Sequence, residues 1–404
     1  MKTVLFVGAG RHQRRAILQA KARGLRVVAV DRDPDAPGLV VADIAKVVDF
    51  SNAAAVLKAT GRLRLDGVLT VSADRAVPVV AAIAEARGLP GIGVATAHLM
   101  THKVAMRRTL ADAGVPQPRY AAVRSFAETR PAAGEVGFPA VLKPADSGGQ
   151  RGVFRVDSLD DVDAHLHAAL NASPSGEAIL EEFVDGTELN GIVLACDGEL
   201  IPLTLSDRMR PPGAGFGVGW IHVYPPTIPA EQLGEAARVA EQTVRVLGLR
   251  TGIAFPQLLA AADGRVVVVE CAARIPGGQM ADLVRVAVGV DLIDVQLRMA
   301  LGEELPDDAV RPQFSQPLAI RFFTAAPGPL PTGRVVSVGS LAAVLAAPGV
   351  VGADTYLTVG EVIRPVTVDA DRRGYVIAVG DTNLAALERA EAAAALLTVE
   401  VAPV

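Results

Sequence analysis

Apolar positions in the first hundred residues fall into short runs separated by stretches of helical spacing. "TVLFVG" and "RVVAVD" are runs of strand length, and "RRAILQAKARG" between them carries its apolar residues at helical intervals. "DGVLTV" and the helix pattern "AVPVVAAIAEARG" repeat the unit, so residues 1–100 predict a parallel, helix-covered sheet. After "GLPGIG" breaks this rhythm, the helix "KVAMRRTLADAG", stopped by Gly114 and "VPQP", opens a second unit at about 101–180. That unit also holds the strand "PAVLKP" and the glycine-rich "ADSGGQRG".

Residues 181–310 predict a larger α+β unit with "AILEEFV", "ELNGIVLAC" and the helix "PAEQLGEAARVAEQTVRVLG". Two apolar runs follow in "GIAFPQLLAAADGRVVVVECAAR", joined at Asp263-Gly264, a strong hairpin signal. Residues 311–404 are rich in Pro and Gly. They carry the short strands "LAIRFF", "GRVVSV", "VIRPVTV" and "GYVIAVG", then the helix "NLAALERAEAAAALL". The fold class expected is therefore α/β and α+β, in four units.

Composition narrows the function. The chain has 404 residues, half of them hydrophobic, which is enough to bury several cores. A net charge of -5 argues against a general nucleic-acid binder. Two cysteines give neither a disulfide framework nor a zinc pattern, so a reducing cytoplasm is expected, and no apolar run has the length of a membrane span. Only six lysines stand among the 39 basic residues, none after Lys143. A chain that uses arginine almost everywhere keeps lysine where a compact ammonium is useful.

The opening glycines invite a dinucleotide reading. Gly8, Gly10 and Asp31 fit it, but Gln13 stands where the third glycine of that fingerprint belongs. The middle of the chain offers more specific chemistry. In "PAVLKPADSGGQRGV" a strand delivers Lys143 to a loop containing Ser147, Gly148, Gly149 and Gly152, whose backbone N–H groups can fold over phosphate oxygens. In "AILEEFVDGTELN", Glu181 and Glu188 are acceptors suited to an adenine amino group and ribose hydroxyls, or else solvated acids of an edge strand. Phe183 and Val184 would wall the base. Gln257 and Glu270 lie on the two strands of the hairpin, where paired oxygen ligands beside phosphates suit Mg²⁺. Arg274 can meet a phosphate or carboxylate with its planar fork.

In this order the motifs "VLKPADSGGQRGV", "EEFVDGTE" and "ECAARIPGG" resemble the ATP-grasp carboxylate–amine ligase family, and the C-terminal portion resembles its L-amino-acid-ligase branch. The resemblance implies a Rossmann-like N-terminal domain that binds no NAD, two α+β subdomains clamping ATP, and a small C-terminal α+β domain. It implies that Lys103 and Lys143 contact phosphates and that loop 147–152 caps them. Glu181, Phe183 and Val184 would then hold adenine, Glu188 the ribose, and Gln257 with Glu270 a Mg²⁺ or Mn²⁺ ion. Arg274 would steady an acyl phosphate formed from a small-molecule carboxylate, amino acids included, before an amine displaces phosphate.

Specificity is expected from "LSDRMRPPGAGFGVGWIHVYPP", with Arg208 and His222, and from Gly277 and Gly278 beside Arg274. His222 would line the substrate pocket or assist amine deprotonation. Relatives commonly carry Glu where this chain has Gln257, and many carry Asn where it has Ala272. These departures leave a non-catalytic nucleotide-binding protein as the alternative. Many relatives dimerise, so a homodimer is expected.

Overall fold

A computed structural model describes residues 1–149, 151–212 and 217–404. Gln150 of the phosphate loop and residues 213–216 of the expected substrate loop lie outside them. Strands Thr3–Val7, Arg26–Asp31, Ile44–Val47 and Gly67–Leu69 form a parallel sheet in the order Ile44–Val47, Arg26–Asp31, Thr3–Val7, Gly67–Leu69. The first two are almost continuously buried, which is why they read as unbroken apolar runs. Ile44–Val47 was not legible as a strand: it is a short edge whose residues are only half-buried or exposed. The helix Val77–Arg87 stops at Gly88, in the left-handed conformation that glycine adopts freely.

The second unit is an antiparallel sheet in the order Tyr120–Val123, Ala178–Glu182, Ala140–Pro144, Phe154–Val156. The strand Ala178–Glu182 lies inside this sheet, so the expected boundary at 180/181 falls within a strand and this sheet runs on to Glu182.

Among the described residues the third sheet has eight strands. Its order is Val266–Ala273, Gly252–Ala261, Gly186–Cys196, Glu199–Met209, Ile221–Tyr224, Leu318–Phe322, Gly374–Val379, Val350–Thr355. Strands from beyond residue 310 thus continue the sheet of the large subdomain rather than standing apart from it. The helix Ala230–Val246 covers one face over Val193, Ala254 and Val268. Met280–Val288 and Leu292–Ala300 cover the other, sharing a core with Ile17, Val27 and Leu69 of the N-terminal domain. Of "VIRPVTV" only Val362–Ile363 is a strand, because Pro365 brings no N–H to a ladder. Among the described residues no helix is long and apolar enough to cross a membrane.

Candidate active site

Where the small sheet faces the large one, a cavity of ≈ 180 Å³ is walled by Lys103, Lys143, Ser147, Gly148, Gly149, Glu181, Phe183, Val184, Glu188, Arg208, Gln257 and Glu270. The sequence spread these groups over 168 positions; the fold gathers them because strands of both sheets contribute to one cavity. Gly152 lies outside the wall. Its φ of +73° and the closeness of Pro144 and Ala172 make it the base of the loop, a position a side chain would strain.

Lys143 lies one residue before the end of its strand, with Nζ 2.7 Å from Glu181 Oε2. Glu181 also accepts from Arg107 Nε at 2.9 Å and Nη2 at 3.1 Å. Burial works against its charge, but Arg107 and Lys143 outweigh it and hold the carboxyl at about 2. Lys143 is lowered from the usual lysine range by burial, with Glu181 opposing. A carboxylate has about four acceptor sites, so three of those on Glu181 are already used and roughly one is left for a base. Phe183 N–H donates to Pro139 O at 3.1 Å, and Val184 is buried.

Arg107, fully buried, was missed by the sequence reading. It also donates to Val268 O and Val269 O, both at 2.7 Å. Those carbonyls are exposed by a bulge: Gln257 pairs with Glu270, but Leu258 pairs with Val268. The bulge sits beside Glu270, which it turns toward the cavity.

The hairpin, through the one-residue shift of the bulge, sets Gln257 directly opposite Glu270, and the next strand sets Asn190 opposite Gln257. Asn190, Gln257 and Glu270 therefore stand in one row across three strands, with Gln257 Nε2 3.4 Å from Asn190 Oδ1. Asn190 was missed, although strand alternation puts it on the same face as Glu188. The row offers oxygen donors only, with a single carboxylate; Ala272 adds none. Among the described residues no group of three or more His, Cys, Asp or Glu is placed to hold a metal. This donor set fits a Mg²⁺ ion held mainly by nucleotide phosphates, not a closed protein cage.

Lys103 opens its helix, capped by His102 Nδ1, which accepts from Ala105 N–H at 3.3 Å. Its Nζ donates to Ser147 O at 3.0 Å and lies 3.7 Å from Glu270. Ser147 Oγ is buried without a partner, an opening for a phosphate oxygen. Glu188 pairs with Arg208 at 2.5 Å and Arg210 at 3.1 Å.

His222, Gly277, Gly278 and Arg274 are not among the residues that line this cavity. His222 stands opposite Arg208 on the neighbouring strand, its Nδ1 3.4 Å from Asn190 Nδ2. Burial, then the charges of Arg372 and Arg208, push its imidazole down to about 3. It is therefore neutral and a weak base, which argues against the deprotonating role. Gly278, at φ +66°, fits between His222 and Arg372, where a Cβ would meet His222 Nε2 at 3.1 Å. Gly277 faces Ser72. Arg274 is held by Asp74, 2.6 Å from its Nε.

The opening glycine turn is filled by the chain's own side chains. The side chain of Gln13 lies against Gly8 and Gly10 and donates to Val71 O. Asp31 accepts from Ala9 N–H at 2.7 Å and so braces the turn from inside.

A family model described as carbamoyl-phosphate synthase L chain, ATP binding domain, matches residues 102–308. A second, L-amino acid ligase C-terminal domain 2, matches residues 322–402. An uncharacterized protein, y4rH, of Sinorhizobium fredii strain NBRC 101917 / NGR234 is 28% identical over 396 residues, 95% of this chain and 80% of that one. The formate-dependent phosphoribosylglycinamide formyltransferase of Ignicoccus hospitalis is 27% identical over 413 residues, 98% of this chain and 95% of that one. The crystal structure of an L-amino acid ligase from Bacillus licheniformis superposes with a TM-score of 0.84 at 20% identity, covering 100% of this chain and 99% of that one. At that identity the likeness is one of fold.

Proposed function

The chain belongs to the ATP-grasp family, whose ATP-binding model spans half of it, and from that premise we propose that it joins a carboxylate to an amine while converting ATP to ADP and phosphate. The observation that carries this reading is the convergence of two sparsely used lysines, a glycine loop and the Asn190–Gln257–Glu270 row on one cavity.

Adenine lies against Phe183 and Val184, with the free acceptor site of Glu181 toward its amino group, and Glu188 takes the ribose. Lys103, Lys143 and the N–H groups of residues 147–149 neutralise the phosphates. A Mg²⁺ or Mn²⁺ ion, held by Glu270 and Gln257 with Asn190 beside them, would draw charge from the phosphate oxygens. A carboxylate oxygen attacks the γ-phosphorus and ADP leaves. The amine nitrogen then attacks the acyl carbon, phosphate leaves, and the amine proton passes to phosphate or solvent, since His222 is too weak a base to take it. The side chains supply position and charge stabilisation. Arg274 steadies the acyl phosphate, while Arg208, His222, Gly277 and Gly278 shape the pocket for the acid. The match of residues 322–402 to an L-amino acid ligase domain supports amino acids as the first substrates to try.

A second reading, nucleotide binding without ligation, draws on the single carboxylate in the metal row. Purified protein with ATP, Mg²⁺ and pooled acids and amines, with hydroxylamine as a trap, separates the two. ADP plus a hydroxamate in one pool supports ligation. ATP-raised thermal stability with no ADP in any pool supports the second reading.

A further inference from the structure

The N-terminal domain has the architecture of a dinucleotide-binding unit, yet Gln13 and Asp31 close its glycine turn. We infer that its contribution to the reaction is Asp74, a positioning residue that fixes Arg274; the inference rests on the ligase reading above.

Asp74 is the first residue of the helical turn after the strand Gly67–Leu69, at the carboxyl edge where open parallel sheets present functional groups. The backbone just before it is tied to the segment that carries Arg274. Ser72 N–H donates to Ile275 O at 2.9 Å, and Ser72 holds a left-handed φ of +58°. Such a conformation in a non-glycine residue persists only where the surroundings impose it.

Asp74 Oδ1 receives both Nε and Nη2 of Arg274, each at 2.6 Å. The guanidinium Cζ lies 5.6 Å from the centre of the Phe255 ring. These contacts fix the plane of the guanidinium. They leave Nη1 buried without an acceptor, an N–H group reserved for an oxygen that the protein does not supply. The second oxygen of Asp74 faces the phosphate loop so closely that a Cβ on Gly148 would come within 2.7 Å of it. One carboxylate therefore holds the guanidinium and lies against the phosphate loop.

The test uses the full chain as Asp74→Ala and Asp74→Asn, the latter keeping the shape should the former not fold. Binding of inorganic phosphate to protein saturated with ADP and Mg²⁺ is measured by calorimetry, beside ADP affinity itself. Phosphate binding is expected to weaken about tenfold or more, with ADP affinity held within about threefold. Once substrates are known, kcat should fall by a similar factor at constant KM for ATP. Adding Asp74→Ala to Arg274→Ala should then cost less than about threefold more, because the two act as one unit. Unchanged phosphate binding, no phosphate binding by the wild type, equal loss of ADP and phosphate, or additive losses would each overturn the inference. Failure of the ligase reading shows itself separately, as a wild type that makes no ADP from any pool.

Discussion

Replacing Glu181 by Gln keeps the shape of the side chain and removes the charge that faces both Lys143 and Arg107. The fold holds this carboxyl at about 2, against an ordinary 4.5. At roughly 1.4 kcal/mol per tenfold change in affinity for the proton, that is worth about 3 kcal/mol. Breaking a buried ion pair from one side costs about 3–5 kcal/mol by a separate route, so the two figures agree. The substitution should therefore remove a large share of the roughly 5–15 kcal/mol typical of a folded domain. Urea denaturation followed by far-ultraviolet circular dichroism at pH 7 reads this loss. The sign with pH follows from the lowered carboxyl: the stabilisation is complete above about 4.5 and is lost as pH falls toward about 2. The gap between wild type and Glu181→Gln should thus be constant from pH 8 to pH 5 and narrow below. A loss under about 1 kcal/mol, or a gap that does not narrow in acid, would refute the claim that this carboxylate is ionised and bound from both sides.

Lys143→Ala should abolish ADP formation and the thermal shift given by ATP while leaving the far-ultraviolet spectrum intact; full turnover would remove Lys143 from the phosphate site. Glu270→Gln should raise the Mg²⁺ concentration for half-maximal activity by about tenfold or more, since the row has no other carboxylate, and an unchanged Mg²⁺ requirement refutes its ligand role. Because His222 is neutral down to about 3, its ring proton resonances should not titrate between pH 5 and pH 8, and a midpoint near 6.5 would contradict the burial described for it.

The sequence showed most of what alternation and turn chemistry control. The hairpin through Asp263-Gly264 brought Gln257 and Glu270 onto adjacent strands, although their direct opposition needed a bulge the sequence does not announce, and the glycine loop followed its strand. It did not show what depends on register between distant strands. Asn190 joins the row only because Gly186–Cys196 pairs with Gly252–Ala261, and nothing local announces that pairing. Arg107 reads as one arginine in "MRR" on an amphipathic helix; only the bulge at Val269 and the buried carboxylate give it partners. The C-terminal strands read as a separate unit because proline and glycine dilute their apolar runs, whereas backbone pairing joins them to the large sheet. Asp74 sits in a loop of small and charged residues, where sequence carries no periodic signal.

The small sheet Tyr120–Val156, with Ala178–Glu182 inside it, shares no strand with the eight-stranded sheet. Among the described residues no strand pairing joins the two sheets across the cavity. Arg107 stands between them as a rivet: Nε and Nη2 of its guanidinium grip Glu181 of the small sheet, Nη1 and Nη2 the bulged carbonyls of the large one. The join at this point is thus one of charge and side-chain hydrogen bonds, so its strength depends on a single carboxylate staying ionised.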